Sequence, residues 1–407
     1  MRMMRKSVAI LVFAAVLALL GASFASAQSG PVVIGTLMGL TGGLAPYGIP
    51  IQNATDLAAL DINSQGGLLG GRSLVLAHRD SATSEQVGVD AASRLVNIDG
   101  ATAIVGALAS GVTIAAATSV AIPSGVVMIS PASTSPTLST LADDGLVFRT
   151  VLSDEMQGIA AANLARELGY ETISVIYVNN PYGQGLYEKF RDAFVAAGGR
   201  ILGAAAYDEG NSSYRGELEA ATRGGVPDAM LVIGYVQQGG TTILRQAIEG
   251  GYTQRFLLTD GLKSLDIVEA LGAAVLEGTY GTAPSTTASD HFREAYERQY
   301  GTPPPQPYMA EAYDGVFLLA MAIEKAQSTD GYAIRDALQS LLDPDGVEVK
   351  AGEWAKAKEV IASGQKVRYV GASGFFTFDA NGDRTNGVVE VWKITGGQIV
   401  TERQIEF

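Results

Sequence analysis

The sequence predicts an α/β protein made of two doubly wound, Rossmann-like lobes. Three observations carry this. From Pro31 onward, short unbroken apolar runs alternate with helical segments, the alternation restarts near Arg149, and many of the 49 glycines fall in the strand-to-helix turns. Continuous apolar strands separated by helices imply parallel sheets covered on both faces. The length agrees, because 407 residues exceed one ordinary core and point to two or three domains.

In the first run, residues 32–37 read as a buried strand and 51–62 as a helix, with Ile51, Ala54, Leu57 and Ala58 at helical spacing. Gly66-Gly67 ends that helix. Strand 73–77, helix 87–98, strands 103–105 and 126–129 and an Ala-rich helix after Ser110 complete the run. The second run gives helix 154–168, strand 173–178, helix 184–197, strand 201–207, helix 213–223, strand 229–233, helix 240–249 and strand 256–258. Helices at 308–326 and 332–342 follow, then strands and turns over 374–405. The segments after 280 pass back to complete both lobes. The expected division is 28–150 plus about 281–365 for lobe I, and 151–280 plus about 366–407 for lobe II.

Composition removes several function classes. With no cysteine there is no disulfide framework, cysteine nucleophile, zinc ribbon or iron–sulfur cluster, and two histidines leave little for a histidine-rich metal site. The formal charge of −14 offers no net attraction to phosphate backbones, so no nucleic-acid partner is expected. The N-terminus reads as an export leader: Arg2, Arg5 and Lys6, an apolar stretch over 8–20, then Ala25-Ser26-Ala27. The apolar stretch falls short of the ~20 residues a membrane span needs. Cleavage after Ala27 leaves 380 residues with charge −17, and no cysteine for a lipid anchor. A soluble periplasmic protein is expected.

Ligands of open α/β sheets bind at the carboxyl ends of strands, so the loops there are where binding residues are expected. The first, Gly39 to Gly48, is neither G-x-G-x-x-G nor a P-loop, and reads as a tight turn that brings Tyr47 to a cleft. After the third strand, Leu108 and Ser110 stand near a helix start, where Ser110 is either an N-cap or part of a carboxylate site. After the fourth comes Ser130-Pro131-Ala132-Ser133-Thr134-Ser135-Pro136, a second hydroxyl-rich loop on the same edge that favours the carboxylate reading. The second run offers Tyr182, Tyr235 and Asp260, each just after a strand, the tyrosines as pocket walls and Asp260 as a partner for an ammonium. Enzyme signatures are thin. Gly371 to Gly374 misses G-x-S-x-G by one place, His78-Arg79-Asp80 lacks the rest of a kinase pattern, and Asp379-x-Asn381-Gly382-Asp383 reads as a hairpin turn in preference to a calcium loop.

Several phrases in fixed order resemble the branched-chain amino-acid-binding proteins of ABC importers, the type I periplasmic binding proteins. They include 42–48, Asp61-Ile62-Asn63 with Gly66-Gly67, 104–113, 129–136, Pro181-Tyr182-Gly183, Asp260-Gly261, Tyr313-Asp314-Gly315 and 378–383, and the likeness runs from about Val32 to about Ile394. The resemblance implies two lobes joined by a hinge, closing like a Venus flytrap on a small ligand. It assigns the ligand carboxylate to Ser110 and Thr134, with Ser133 in the same loop. It assigns the α-ammonium to the Ala132 carbonyl and to Asp260, where the family usually has Glu. It gives the pocket walls to Tyr47, Leu108, Tyr182 and Tyr235. It also implies that a first-lobe disulfide of many relatives falls on Ala82 and Ala109 here. The expected function is a monomeric carrier for an aliphatic or aromatic amino acid, or a related carboxylate, delivered to an inner-membrane ABC permease. No cofactor and no enzymatic activity are expected. The alternative is a sensor of amides or aromatic carboxylates.

Overall fold

The computed structural model describes residues 30–284, 288–304 and 306–407, so the expected leader lies outside the described residues. Two large sheets organise the chain from Val32 onward. The first is five parallel strands in the order β2-β1-β3-β4-β5: β1 (Val32–Met38), β2 (Leu74–Asp80), β3 (Ala103–Gly106), β4 (Val127–Ser130) and β5 (Val147–Arg149). The second has seven strands, and its parallel part is β6 (Thr172–Val178), β7 (Arg200–Tyr207), β8 (Ala229–Ile233), β9 (Phe256–Leu258) and β10 (Tyr280–Pro284). After β10 in the chain come β11 (Val347–Lys350), β12 (Val367–Gly371) and β13 (Gly374–Phe375), a small separate sheet. The antiparallel β14 (Val388–Thr395) and β15 (Gln398–Glu406) close one side of the second sheet. β3, β4, β8 and β9 are buried along their whole length, as strands covered on both faces must be. The edge strand β15 is largely exposed and carries Thr401, Glu402, Arg403 and Gln404, polar residues that discourage further strand pairing.

Helices fill the connections, the longer ones among the described residues being α1 (Ala45–Ser64), α2 (Glu85–Asn97), α3 (Ser110–Ala116), α4 (Asp154–Glu167), α5 (Pro181–Ala196), α6 (Arg215–Ala221), α7 (Thr241–Glu249), α8 (Leu265–Leu271), α9 (Asp290–Tyr300), α10 (Met309–Ala326), α11 (Gly331–Leu338) and α12 (Trp354–Ala362). Helix α10 is buried from Met309 to Ile323, packs on α1, α12, β3 and β4, and is therefore apolar nearly all round. It returns late chain to the first sheet, while β10, β14 and β15 return it to the second.

The strands read from sequence lie where the structure has them, but some helix starts do not. Helix α1 begins at Ala45, not at residue 51, so the end of the glycine-rich segment read as a turn, residues 45–48, already belongs to its first turn. Pro46 occupies a first-turn position, where a missing N–H costs nothing, and Pro50 is carried inside the helix. The helix read over 332–342 stops at Leu338 and tightens into a short 3₁₀ turn. Three helices (α8, α9, α12) and strands β5, β10, β11 and β12 were not read from sequence; each is short or weakly patterned.

The chain crosses between the sheets after β5, after β10 and near β13 and β14. Asp314 anchors this region: its buried carboxylate accepts from Tyr369 Oη (2.8 Å), Ala372 N (2.6 Å), Ser373 N (2.8 Å) and Ser373 Oγ (2.6 Å). A Cβ at Gly371 would lie 2.3 Å from Asp314 Oδ1, so only glycine lets the strand pass. Arg384 donates to Ser373 and to Thr150 O, joining two of the crossings.

One titratable contact nearby gives a stability prediction. His291 Nε2 lies 2.9 Å from Asp61 Oδ2, which also accepts from Tyr313 Oη at 2.6 Å. The hydrogen bond to Asp61 raises the His291 pKa above its ordinary value. A raised histidine pKa stabilises fully below the unfolded value of ~6.5, and the contribution is lost as pH rises through the folded value. His291→Gln is therefore expected to reduce the melting temperature at pH 5.5 more than at pH 8.5, by a small margin because the pair is partly exposed. Thermal scans of both proteins at the two pH values check this; an equal change at both would refute it.

Candidate functional site

The carboxyl ends of the two sheets face each other across a narrow cavity of about 20 Å³, room for little more than a water. It is lined by Leu44, Tyr47, Ile51, Leu108, Ser110, Ala132, Tyr182, Tyr235, Asp260, Gly261 and Tyr308. Seven of the nine residues singled out in the sequence are among these. Ser133 and Thr134 are not; they lie buried behind the wall.

On the first-sheet side, two loops meet. Ser110 opens α3, yet it does not cap that helix; its Oγ accepts from Ser135 N at 3.2 Å and braces the neighbouring loop. Ser133 Oγ bonds Thr113 Oγ1 (2.7 Å) and donates toward Leu108 O (3.2 Å), while its N–H bonds Ser130 Oγ (2.9 Å). Ser133 thus ties the two loops together and does not face the cavity. Arg149, at the end of β5, donates from Nη1 to Thr134 O (2.9 Å) and Ser135 O (3.0 Å), with Ser133 O at 3.4 Å. A planar trans peptide points each carbonyl opposite to the next N–H. Carbonyls of 133 and 134 turned toward Arg149 therefore turn the N–H groups of Thr134 and Ser135 away from it, toward Ser110 and the cavity. The Ser135 N–H is taken up by Ser110 Oγ, so the Thr134 N–H and the Ser110 hydroxyl are the donors this edge offers an anion.

The second-sheet side supplies the opposite polarity. Asp260 lies just after β9, and its Oδ1 accepts from Tyr182 Oη (2.7 Å) and Gln157 Nε2 (2.9 Å). Its Oδ2 accepts from Tyr308 Oη (2.7 Å). All three donors are neutral, and burial raises the Asp260 pKa although these hydrogen bonds pull it down. A second carboxylate stands close behind. Asp154 is fully buried at the start of α4, and neither of its oxygens has a hydrogen-bond partner among the described residues. Burial and the Asp260 charge push its pKa well up, against smaller opposing effects of the Thr134 hydroxyl beside it and of Arg149. Thr134 Oγ1 and Gln157 Oε1 are also buried without partners. Orphaned buried polar atoms are rare in native structures, and these three residues cluster behind the Asp260 wall of the cavity, with the Thr134 hydroxyl beside the Asp154 carboxyl.

The aromatic walls complete the site. Tyr182 and Tyr235 stack at 5.5 Å between centroids with 12° between planes. Tyr47, from α1, donates to the Asp260 carbonyl at 2.8 Å, and Ser135 Oγ donates to Pro181 O at 2.8 Å, so the two sides touch directly. A Cβ at Gly43 would sit 3.0 Å from Tyr235, which explains a glycine at this seam. Ala82 and Ala109 both line one outer groove.

Sequence reading missed Tyr308, Gln157, Asp154 and Arg149. Tyr308 reads as a helix start, whereas its left-handed φ of 81° is what turns it across the cavity. Asp154 reads as an ordinary acidic first-turn residue, a choice the helix dipole favours anywhere. Nothing local distinguishes it from an exposed one. Among the described residues no helix is long and apolar enough to cross a membrane, and no group of three or more His, Cys, Asp or Glu could hold a metal ion.

Residues 31–396 match the family described as "Periplasmic binding protein". The chain belongs to that family. This periplasmic binding protein is 28% identical over 382 residues to the Leu/Ile/Val-binding protein BraC3 of Rhizobium johnstonii, covering 93% of this chain and 95% of the relative. It is 29% identical over 306 residues to a leucine-, isoleucine-, valine-, threonine- and alanine-binding protein of Pseudomonas aeruginosa, covering 74% and 80%. Its fold matches the leucine-binding protein LivK of Thermotoga maritima with a TM-score of 0.77 at 26% identity, over 92% of this chain and 98% of the other. A benzoate complex of a solute-binding protein from R. palustris shares the fold, with a TM-score of 0.73 at 17% identity, over 92% and 96%.

Proposed function

We propose that this periplasmic binding protein is the exported substrate-binding component of an ABC importer. It captures an amino acid with an aliphatic or aromatic side chain between its lobes and passes it, as a monomer, to an inner-membrane permease. It is a carrier and not an enzyme. The moving parts are the two lobes read from the sequence, 28–150 with about 281–365 and 151–280 with about 366–407, turning about the crossings tied by Asp314 and Arg384.

The single observation behind this reading is the pair of buried carboxylates, Asp260 lining the cavity and Asp154 behind it, together with the Thr134 N–H and Ser110 hydroxyl that suit an anion. Among the described residues no basic side chain is hydrogen-bonded to either acid. A buried charge needs a partner, and the α-ammonium supplies one while the α-carboxylate of the same ligand meets the loop. An aromatic carboxylate would occupy the loop and leave both acids unpaired, so the amino acid is favoured over that alternative. The side chain then lies among Tyr47, Leu108, Tyr182 and Tyr235, and the Ala132 carbonyl takes a further ammonium hydrogen. Closure is stabilised because Asp260 from one lobe and the loop from the other grip the two ends only together.

Calorimetry against a panel of amino acids, benzoate, hydroxybenzoates and simple amides tests this. Heat is expected with L-leucine, L-isoleucine, L-valine or L-phenylalanine and not with benzoate. The reverse pattern would replace the reading with that of a carboxylate or amide sensor.

A further inference from the structure

The turn at 379–383, which resembles a calcium loop in sequence, holds no cluster of metal-ligating residues; it holds Arg149. Asp383 Oδ1 accepts from Arg149 Nε at 2.7 Å, and Asp383 Oδ2 accepts from Ser139 Oγ at 2.5 Å. Arg149 Nη2 donates to Ser139 Oγ at 2.8 Å, and the backbone N–H of Arg149 donates to Gly382 O at 3.0 Å. The turn itself is fixed by Asp379, whose carboxylate accepts from the N–H groups of Asn381 (2.8 Å) and Asp383 (3.0 Å). With Nε and Nη2 committed to this turn and to Ser139, the remaining arm of the guanidinium has one direction left. It meets the carbonyls of Thr134 and Ser135.

From this geometry we infer that the 379–383 turn, acting through Arg149, is a positioning clamp that fixes the 132–136 loop and, with it, the Thr134 N–H and the Ser110–Ser135 contact at the ligand edge. Arg149, Asp383 and Ser139 touch no ligand in the proposed site; they act through the backbone. A guanidinium suits this because its donors form a rigid planar fork, so fixing two of its three nitrogens fixes the third. A lysine could balance the nearby Asp154 charge but could not hold the loop and the turn together. The clamp also borders the hinge. Residue 150 follows Arg149 directly, and its carbonyl accepts from Arg384 Nη1 at 2.9 Å, one residue beyond Asp383. Lobe movement and loop presentation thus share one stretch of chain. This inference rests on the proposed site for its ligand, but its core claim concerns the loop and can be read without ligand.

The test compares the full mature protein with Asp383→Asn, Arg149→Lys and the milder Ser139→Ala. Hydrogen exchange by mass spectrometry over 131–137 is followed in ligand-free protein, beside calorimetry with L-leucine. The clamp predicts exchange at 131–137 faster by tenfold or more in Asp383→Asn and Arg149→Lys and by less in Ser139→Ala, with exchange in β1 and β8 unchanged. It also predicts an L-leucine Kd raised about tenfold in the first two, without rescue by the retained charge of lysine. Unchanged exchange over 131–137, or faster exchange spread evenly through the protein, would overturn the clamp and leave Arg149 a structural residue. If Asp383→Asn does not fold, the Ser139→Ala exchange decides by the same criterion. Absence of L-leucine binding by the unmodified protein bears on the proposed ligand, and the exchange arm still decides the clamp.

Discussion

Asp260→Asn is expected to weaken amino-acid binding by about 100-fold or more, because removing one partner of a buried ion pair costs ~3–5 kcal/mol and each 1.4 kcal/mol is roughly tenfold. The substitution conserves volume, and the hydroxyls of Tyr182 and Tyr308 can turn to accept from the new amide, so the fold should persist. What disappears is the charge that faces the ammonium. A carboxylate oxygen offers two acceptor positions, and Oδ2 of Asp260 uses only one of its own, on Tyr308. The other is free for a ligand. Asp260→Glu, the residue more usual in the resembling family, is expected to retain binding within a few-fold if the longer arm can fold back. Calorimetry with L-leucine on both variants checks the pair of outcomes. An unchanged Kd in Asp260→Asn would remove this residue from the ammonium's partners.

The second large effect has opposite signs for stability and for binding. Asp154→Asn should stabilise the ligand-free protein and weaken its hold on an amino acid. In the free protein the Asp154 carboxylate is buried with no hydrogen-bond partner on either oxygen and with Asp260 as a like-charged neighbour. Its pKa is well above the usual carboxylate value for that reason. An acid whose folded pKa is raised binds more protons folded than unfolded, so its presence costs stability as pH rises above the unfolded value of ~3.9. The gain from Asn is therefore greatest at neutral to alkaline pH and vanishes in acid, where Asp154 is already neutral. A gain of ~1 kcal/mol would raise the melting temperature by roughly 2 °C.

Binding runs the other way. An ammonium needs Asp154 ionised, so capture releases a proton whenever the free protein holds Asp154 protonated. Amino-acid affinity should accordingly fall as pH drops through the raised pKa, and binding heats should depend on the buffer's ionisation enthalpy. Asp154→Asn should abolish both dependences that trace to this group. Calorimetry in two buffers of different ionisation enthalpy, with thermal scans at pH 5 and 8, measures all of this. A variant that is less stable and binds as before would show that Asp154 is a structural acid.

Much of the fold was legible because the signal is local. Runs such as 229–233 and 256–258 are apolar without interruption, which only a strand covered on both faces requires, and the structure has strands at those residues. Seven cavity residues were legible for a related reason: a loop at the carboxyl end of a parallel strand opens toward the ligand edge whatever its partner is. The start of α1 was not legible, because Gly42, Gly43, Pro46 and Pro50 argue for a turn, and tertiary packing of Tyr47 and Ile51 overrides that preference. Ser133 was grouped with the ligand-binding loop residues, and only the structure shows its hydroxyl tying two loops together, since a hydroxyl in a hydroxyl-rich loop gives no sign of which side it takes.

The sequence by itself determined the two-sheet α/β architecture, the edge on which a ligand would sit and an acidic, cysteine-free surface. Each follows from short-range patterning or from counting. Only the tertiary structure decided what the polar residues do. Gln157 meets Asp260 across 103 positions and Arg149 meets Asp383 across 234. Both pairings are set by where the chain crosses between sheets, and no spacing in the sequence encodes that. Burial decided the rest. It turned Asp154 from an ordinary helix-start acid into a carboxyl with a strongly raised pKa behind the cavity wall, and it gave a turn with the look of a calcium loop a guanidinium to hold.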